Sequence, residues 1–440
     1  MEPTTALLTD HYELTMVQAA LRSGAAHRRC VFEVFCRGLP AGRRYAVVAG
    51  IGRLLDALER FRFDEDDLAH LRQHEVVDDD TAAWLSTYRF GGDIHGYGEG
   101  ECFFPGSPIL AVESTFAEAV LLETLVLSVL NFDSAIAGAA SRMTTAAAGR
   151  PVIEMGSRRT HEEAAVAAAR AAYIAGFATT SNLAAGRRYG VPTTGTSAHA
   201  FTLVHDSERD AFRAQLDTLG KGTTLLVDTF DVGDAVRLAV ELAGAQLGAV
   251  RLDSGDLLQL ARQVRRVLDD LGACDTRIVV TSDLDEYAIA ALAAAPVDGY
   301  GVGTALVTGS GAPTAGLVYK LVARATDEQP DSAPVPVAKR SVGKPSRGGK
   351  KWAVRRRDDA GCATAEMVTV NAPRAQPGDR ELLVPLVVGG EVVGREPLDR
   401  ARERHEHARA QLPPHALQLS RGEPAIPTLY DDRPGTTSQL

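Results

Sequence analysis

From about residue 106 to residue 325 the chain repeats one pattern: a short apolar run, a polar or glycine-bearing tip, then an Ala- and Leu-rich stretch. This alternation predicts parallel strands joined by helices. The predicted strands are Val152 to Met155, Gly176 to Thr180, Val191 to Thr193, Thr224 to Val227, Ala249 to Leu252, Ile278 to Thr281 and Gly299 to Val302. They suffice for a barrel, though an irregular one. An open doubly wound sheet would show the same alternation, but its usual GxGxxG turn after the first strand is missing. Ahead of this region, Thr9 and Asp10 are cap-type residues for a helix through Tyr12, Leu14, Met16 and Val17. Cys30 to Phe35 reads as a strand, with helices at about 51–60, 64–74 and 115–130 and a Gly-rich strand-and-turn region from Gly91 to Pro108. After Val322 come an acidic, Pro-rich stretch (Asp327 to Pro336), strand-like runs at Trp352 to Arg355 and Leu382 to Val388, and a charged helix from Leu398 to Gln411. The expected organisation is an α/β N-terminal domain over 1–105, completed by about 335–396. An α/β barrel follows over 106–334, and a C-terminal helix and tail over 397–440.

The 440 residues leave room for a barrel of about 250 residues and a second module. Apolar residues at 45% and charged residues at 24% exclude a disordered or fibrous chain. No apolar run approaches the roughly 20 residues of a membrane span, and Met1 to Asp10 lacks the pattern of a secretory signal. A cytoplasmic protein with no membrane partner is expected. The five cysteines are scattered and form no CxxC pair, which points to reduced thiols rather than disulfides or zinc. A net charge of −10 argues against a nucleic-acid partner. Against 41 arginines stand 6 lysines, five of them at Lys320, Lys339, Lys344, Lys350 and Lys351, so the stretch after the barrel is either a phosphate-contacting loop or a solvated basic one.

In parallel barrels function collects at the C-terminal ends of strands. The tips here read Glu154-Met-Gly-Ser-Arg158-Arg159, Thr194-Gly-Thr196-Ser-Ala-His199, Asp228-Thr229, Arg251-Leu-Asp253-Ser-Gly-Asp256, Thr281-Ser282-Asp283 and Gly301-Val-Gly303-Thr304. Gly301, Gly303 and Thr304 follow a late strand, where barrels bind phosphate through backbone N–H groups; a tight turn without ligand is the alternative. Asp253 and Asp256 can aim two carboxylates at ribose hydroxyls or at a magnesium ion on a diphosphate, or can cap a helix. Arg158, Arg159 and Arg251 supply fixed cations for a diphosphate or a carboxylate. His199 sits among small residues that leave room for a phosphoryl group, although a lone histidine is more often structural. His70 and His74, at helical spacing, lie among Asp, Glu and Arg on a solvated face, and with His405 and His407 they are set aside.

Six stretches, in order, resemble the motifs of nicotinate phosphoribosyltransferases: Leu7-Leu-Thr-Asp-His-Tyr12-Glu-Leu-Thr-Met16, Glu154 to Arg159, Gly195 to His199, Val250 to Leu257, Gly301 to Thr304 and Gly316 to Leu321. The likeness runs through about 400 residues. It implies an irregular parallel (β/α) barrel of the type II phosphoribosyltransferase kind, a second α/β domain built from the N-terminal segment and the chain after the barrel, and a homodimer with shared active sites. It implies ATP-coupled synthesis of nicotinate mononucleotide and pyrophosphate from nicotinate and phosphoribosyl pyrophosphate, the first step of NAD salvage from nicotinate, with Mg2+ and ATP required. Tyr12 would stack on nicotinate, in the partner subunit's site. Thr196 and Arg251, with Arg158 or Arg159, would hold nicotinate, and Thr304 with the glycines before it the 5-phosphate. His199 would be phosphorylated transiently by ATP; Asp228, by its place in Leu226-Val-Asp-Thr229, would orient it. Asp253 and Asp256 would serve the ribose and metal end, and Lys339 and Lys344 the phosphates, although Arg347-Gly348-Gly349 departs from the family's Pro-Gly.

Three other readings fit less of the chain: a relative using nicotinamide or quinolinate, a non-catalytic nucleotide-sensing homologue, and a barrel lyase. The sensor should have lost tip residues that are all present, and the lyase needs a lysine on a strand tip, which none of the six provides.

Overall fold

The computed structural model describes residues 3–329, 332–339, 346–370, 372 and 374–431. They form two compact units, one of Met1–Ala135 with Thr314–Leu440, the other of Ile136–Pro313.

The first unit is built on a seven-stranded sheet in the order Val335–Pro336, Leu317–Arg324, Arg29–Cys36, Leu110–Thr115, Asp93–Tyr97, Leu383–Val388, Glu391–Val392. Arg29–Cys36 is buried on both faces over seven of its eight residues, as a run of Cys, Val and Phe dictates. Its one buried charge, Glu33, lies against Lys351 Nζ, 2.9 Å away. Helix His11–Ser23 opens with a capping box in which Asp10 and Glu13 satisfy each other's backbone, and closes on Gly24 at φ +77°. A four-stranded sheet, ordered Arg380–Glu381, Lys351–Arg357, Ala363–Val370, Thr428–Asp431, completes the unit.

These pairings shift the boundaries expected at 106 and 334. Leu110–Thr115 and Leu317–Arg324 both hydrogen-bond to Arg29–Cys36 as antiparallel partners, so both belong to the first unit. Thr428–Asp431 pairs with Ala363–Val370, so residues 398–431 are part of that unit rather than an appendage. The helix expected over 115–130 is two pieces, Phe116–Val120 and Glu123–Ala147. Contrary to the apolar-run reading, the stretch Phe116–Ala147 is by length and composition apolar enough to span a membrane, with an 18-residue window of mean hydropathy 1.6. Two-thirds of that apolar window is buried within the protein, as in a core helix.

The second unit holds six parallel strands in the order Thr179–Thr180, Val152–Glu154, Gly299–Val302, Arg277–Val280, Ala249–Leu252, Thr224–Leu226. The last strand of this unit, Gly299–Val302, pairs with its first, Val152–Glu154. That cyclic order is a barrel's, not a doubly wound sheet's. The segment expected as a strand at Val191 to Thr193 is reduced to one bridge, Thr180 to Thr193. No pairing joins it to Thr224–Leu226 among the described residues, so the strands form a half-barrel arc. The covering helices are amphipathic: Leu257–Asp270 buries Ala261, Val264 and Leu268, spaced three and four residues apart. Because all six strands run the same way, their C-terminal tips share one end of the arc.

Candidate active site

At those tips lies a cavity of about 210 Å³ walled by three guanidinium groups, Arg158, Arg159 and Arg251, and two carboxylates, Asp253 and Asp283. Met155, Thr281, Ser282, Gly301, Gly303 and Thr304 complete the lining. A β-carbon on Gly301 would lie 2.5 Å from the Thr281 methyl and 2.8 Å from Met155 Sδ, so only glycine lets these tips pack. Gly303 precedes a helix of four residues, Thr304–Val307. Ser282 holds φ +114°, a left-handed conformation that costs a non-glycine residue about 1–3 kcal/mol and is characteristic of functional turns.

Arg251 is the best fixed of the cations. Its Nη1 donates to the Thr196 hydroxyl at 3.0 Å and the Ser197 carbonyl at 3.1 Å, and its Nε to the Thr281 hydroxyl at 3.2 Å. Nη2 is 3.5 Å from Asp253 Oδ2, so the charge is only partly balanced. The Thr281 hydroxyl in turn donates to Asp253 Oδ1. Arg158 and Arg159 are exposed.

His199 begins the short helix His199–Leu203, with its side chain 40% exposed. Its Nε2 is 3.8 Å from Asp253 Oδ2 and 4.0 Å from Asp228 Oδ1; its Nδ1 is 3.1 Å from the Thr229 hydroxyl. The Asp228 side chain is 3% exposed, and its Oδ2 accepts from the Asp253 amide at 2.8 Å and the Ser254 hydroxyl at 2.7 Å. Its Oδ1 is buried without a hydrogen bond among the described residues. Beneath the cavity Glu154 is wholly buried, accepting from the Gly156 amide and the Thr180 hydroxyl. Burial raises its carboxyl above the ordinary range, and the two hydrogen bonds oppose that only in part.

The predicted residues thus divide. Arg158, Arg159, Arg251, Asp253, Gly301, Gly303 and Thr304 share the cavity, and Thr196, His199 and Asp228 join it through Arg251 and Asp253. Asp256 does not. It is exposed, and its carboxylate caps helix Leu257–Asp270 by accepting from the Gln259 amide at 3.1 Å, so Asp253 and Asp256 are not a carboxylate pair aimed at one metal. Among the described residues no cluster of three or more acidic, His or Cys groups is placed to hold a metal. Tyr12 and Lys339 belong to the first unit; Tyr12 is 45% exposed, and Lys339 is exposed with its amide donating to Ser346. Lys344 lies outside the described residues. Lys320, Lys350 and Lys351 are spent on Glu123, Glu113 and Glu33. Sequence reasoning assigned no role to Thr229, Thr281, Ser282, Asp283 or Glu154. Their only signal was a place on a strand tip, which does not say where a side chain points.

The nicotinate phosphoribosyltransferase (NAPRTase) N-terminal domain model matches residues 7–131. The chain is 59% identical over 432 residues to nicotinate phosphoribosyltransferase pncB1 of Mycobacterium tuberculosis, covering 96% of this chain and 94% of that one. It belongs to the nicotinate phosphoribosyltransferase family. The human member is 32% identical over 384 residues, covering 72% of this chain and 71% of that one. A crystal structure of human nicotinic acid phosphoribosyltransferase superposes with a TM-score of 0.81 at 25% identity, over 96% of this chain and 97% of that one. In this member of the family three of the six recognisable motifs, Glu154 to Arg159, Val250 to Leu257 and Gly301 to Thr304, account for most of the cavity wall, and the half-barrel explains how residues from distant motifs meet.

Proposed function

We propose that the protein makes nicotinate mononucleotide and pyrophosphate from nicotinate and phosphoribosyl pyrophosphate, a step of NAD synthesis, and couples the transfer to ATP hydrolysis through a phosphohistidine at His199. The observation that carries this reading is the meeting, at one strand-tip cavity, of three cations with a histidine flanked by carboxylates. Arg251, held by Thr196, Ser197 and Thr281, pairs the nicotinate carboxylate. Arg158 and Arg159 draw the diphosphate, and Gly301, Gly303 and Thr304 take the 5-phosphate. With both substrates fixed, the pyridine nitrogen stands in line with the anomeric carbon, where displacement of pyrophosphate builds oxocarbenium character; Asp253 stabilises that cation and the ribose hydroxyls.

A Mg2+ ion carried in with the polyphosphates would supply neutralisation of the leaving group's charge. Asp253 is the residue that would hold it. At His199 a nitrogen of the neutral imidazole is the nucleophile, beside the carboxylates of Asp228 and Asp253. Tyr12, exposed on its helix, stacks on nicotinate in the partner subunit of a cytoplasmic homodimer. Its phenol is pushed up to about 12 by burial and by Glu123, Glu13 and Asp10, so it stays neutral.

The test is consumption of phosphoribosyl pyrophosphate with nicotinate, nicotinamide or quinolinate, each with and without Mg-ATP, beside His199→Ala. ATP-stimulated use of nicotinate that His199→Ala uncouples supports the reading. Activity on another acceptor alone, or stimulation indifferent to His199, rejects it.

A further inference from the structure

Two sides of the His199 ring meet different chemistry. Toward Nε2 stand Asp228 at 4.0 Å and Asp253 at 3.8 Å, both beyond hydrogen-bond reach. Asp228 is anchored through Oδ2 by the Asp253 amide and Ser254, which holds its Oδ1 at 4.0 Å from the ring, and Asp253 is engaged by Thr281 and Arg251. Among the described residues the one group within hydrogen-bond distance of the imidazole is the Thr229 hydroxyl, 3.1 Å from Nδ1. With its side chain 40% exposed, packing does not lock the ring, and the histidine χ2 torsion is broad when nothing holds it.

We infer that Thr229, rather than Asp228, is the positioning residue that sets the rotation of the His199 ring. The inference rests on the phosphohistidine reading above. Thr229 suits the task in two ways. It stands on a short tip between strand Thr224–Leu226 and Asp231, which caps helix Val232–Ala243, so its backbone is held at both ends. Its hydroxyl accepts from Nδ1–H of the neutral ring, which leaves the Nε2 lone pair free to meet phosphorus. In the transfer the Nε2 lone pair forms the N–P bond while the bond from the γ-phosphorus to the β-phosphate oxygen breaks, ADP leaving with the electron pair. Thr229 sets the angle at which that lone pair meets the phosphorus, and it takes no part in the covalent change.

The experiment follows transfer of label from γ-32P-ATP, as the magnesium complex, to the full-length enzyme, for wild type, Thr229→Val, Thr229→Ser and His199→Ala. Melting temperatures are recorded alongside. Thr229→Val keeps the shape and loses the hydroxyl; the labelling rate constant should fall roughly tenfold or more at saturating ATP, the concentration giving half-maximal rate staying within about threefold. Thr229→Ser should recover most of the rate. Labelling of Thr229→Val at the wild-type rate, or a Ser variant no better than Val, overturns the inference while leaving the phosphohistidine reading intact. A wild type that takes up no label overturns both.

Discussion

Arg355 and Arg251 are both withdrawn from solvent, with side chains 0% and 13% exposed, yet they do opposite things. Arg355, in the first unit, is enclosed by its counter-charges: Nη2 lies 2.5 Å from Glu366, Nη1 is 3.5 Å from Glu101, and the Cys102 carbonyl accepts at 2.8 Å. Arg251, in the second, is gripped by neutral oxygens and approaches its one carboxylate at 3.5 Å from the side of an open cavity. A cation whose field is spent on buried carboxylates holds a fold together. One that is oriented but left electrically underbalanced is a binding site for an anion.

The largest effect expected from this contrast is at Arg355. Arg355→Met strands the buried carboxylate of Glu366 and leaves Glu101 to Arg380 alone, and should cost about 3–5 kcal/mol, read from chemical denaturation. A loss under about 1 kcal/mol would mean the pair is dispensable and the comparison misdrawn. Next in size, Arg251→Ala should lower kcat/KM for nicotinate on the order of 100-fold, about 2.7 kcal/mol of transition-state stabilisation, with a melting temperature close to wild type. If it unfolds the protein instead, Arg251 is another Arg355. The smallest effect concerns Glu154, buried in the second unit without a cation partner among the described residues. Its folded-state carboxyl is raised by burial, so its contribution to stability is full below the unfolded value and is lost as pH rises through the folded one. Glu154→Gln should therefore gain on wild type as pH rises from the ordinary carboxyl range toward neutrality. Denaturation midpoints of the two proteins that stay parallel across that range would contradict it.

Much of this was legible in the chain because it is local. The alternation of apolar runs with polar tips gave the parallel strands to within a residue or two at Val152–Glu154, Ala249–Leu252 and Gly299–Val302. Asp256 shows where that legibility stops. A carboxylate three residues after Asp253 can face the cavity or turn back on its own helix, and the free Gln259 amide decides for the helix. Thr229 is the converse: its neighbour Asp228 is the more obvious partner for a histidine, but the Asp253 amide and Ser254 anchor Asp228 through Oδ2 with its Oδ1 4.0 Å from the ring.

The sequence by itself determined the α/β class, the order of the strands, the charge collected at their tips and the family, since each rests on periodicity or on runs of neighbouring residues. The tertiary structure decided which unit Leu110–Thr115 and Leu317–Arg324 serve, which of the clustered lysines are neutralised, and which hydroxyl meets His199. Those outcomes depend on partners brought together from far along the chain. A pairing of that kind is set by the packing of whole sheets, which no window of sequence contains.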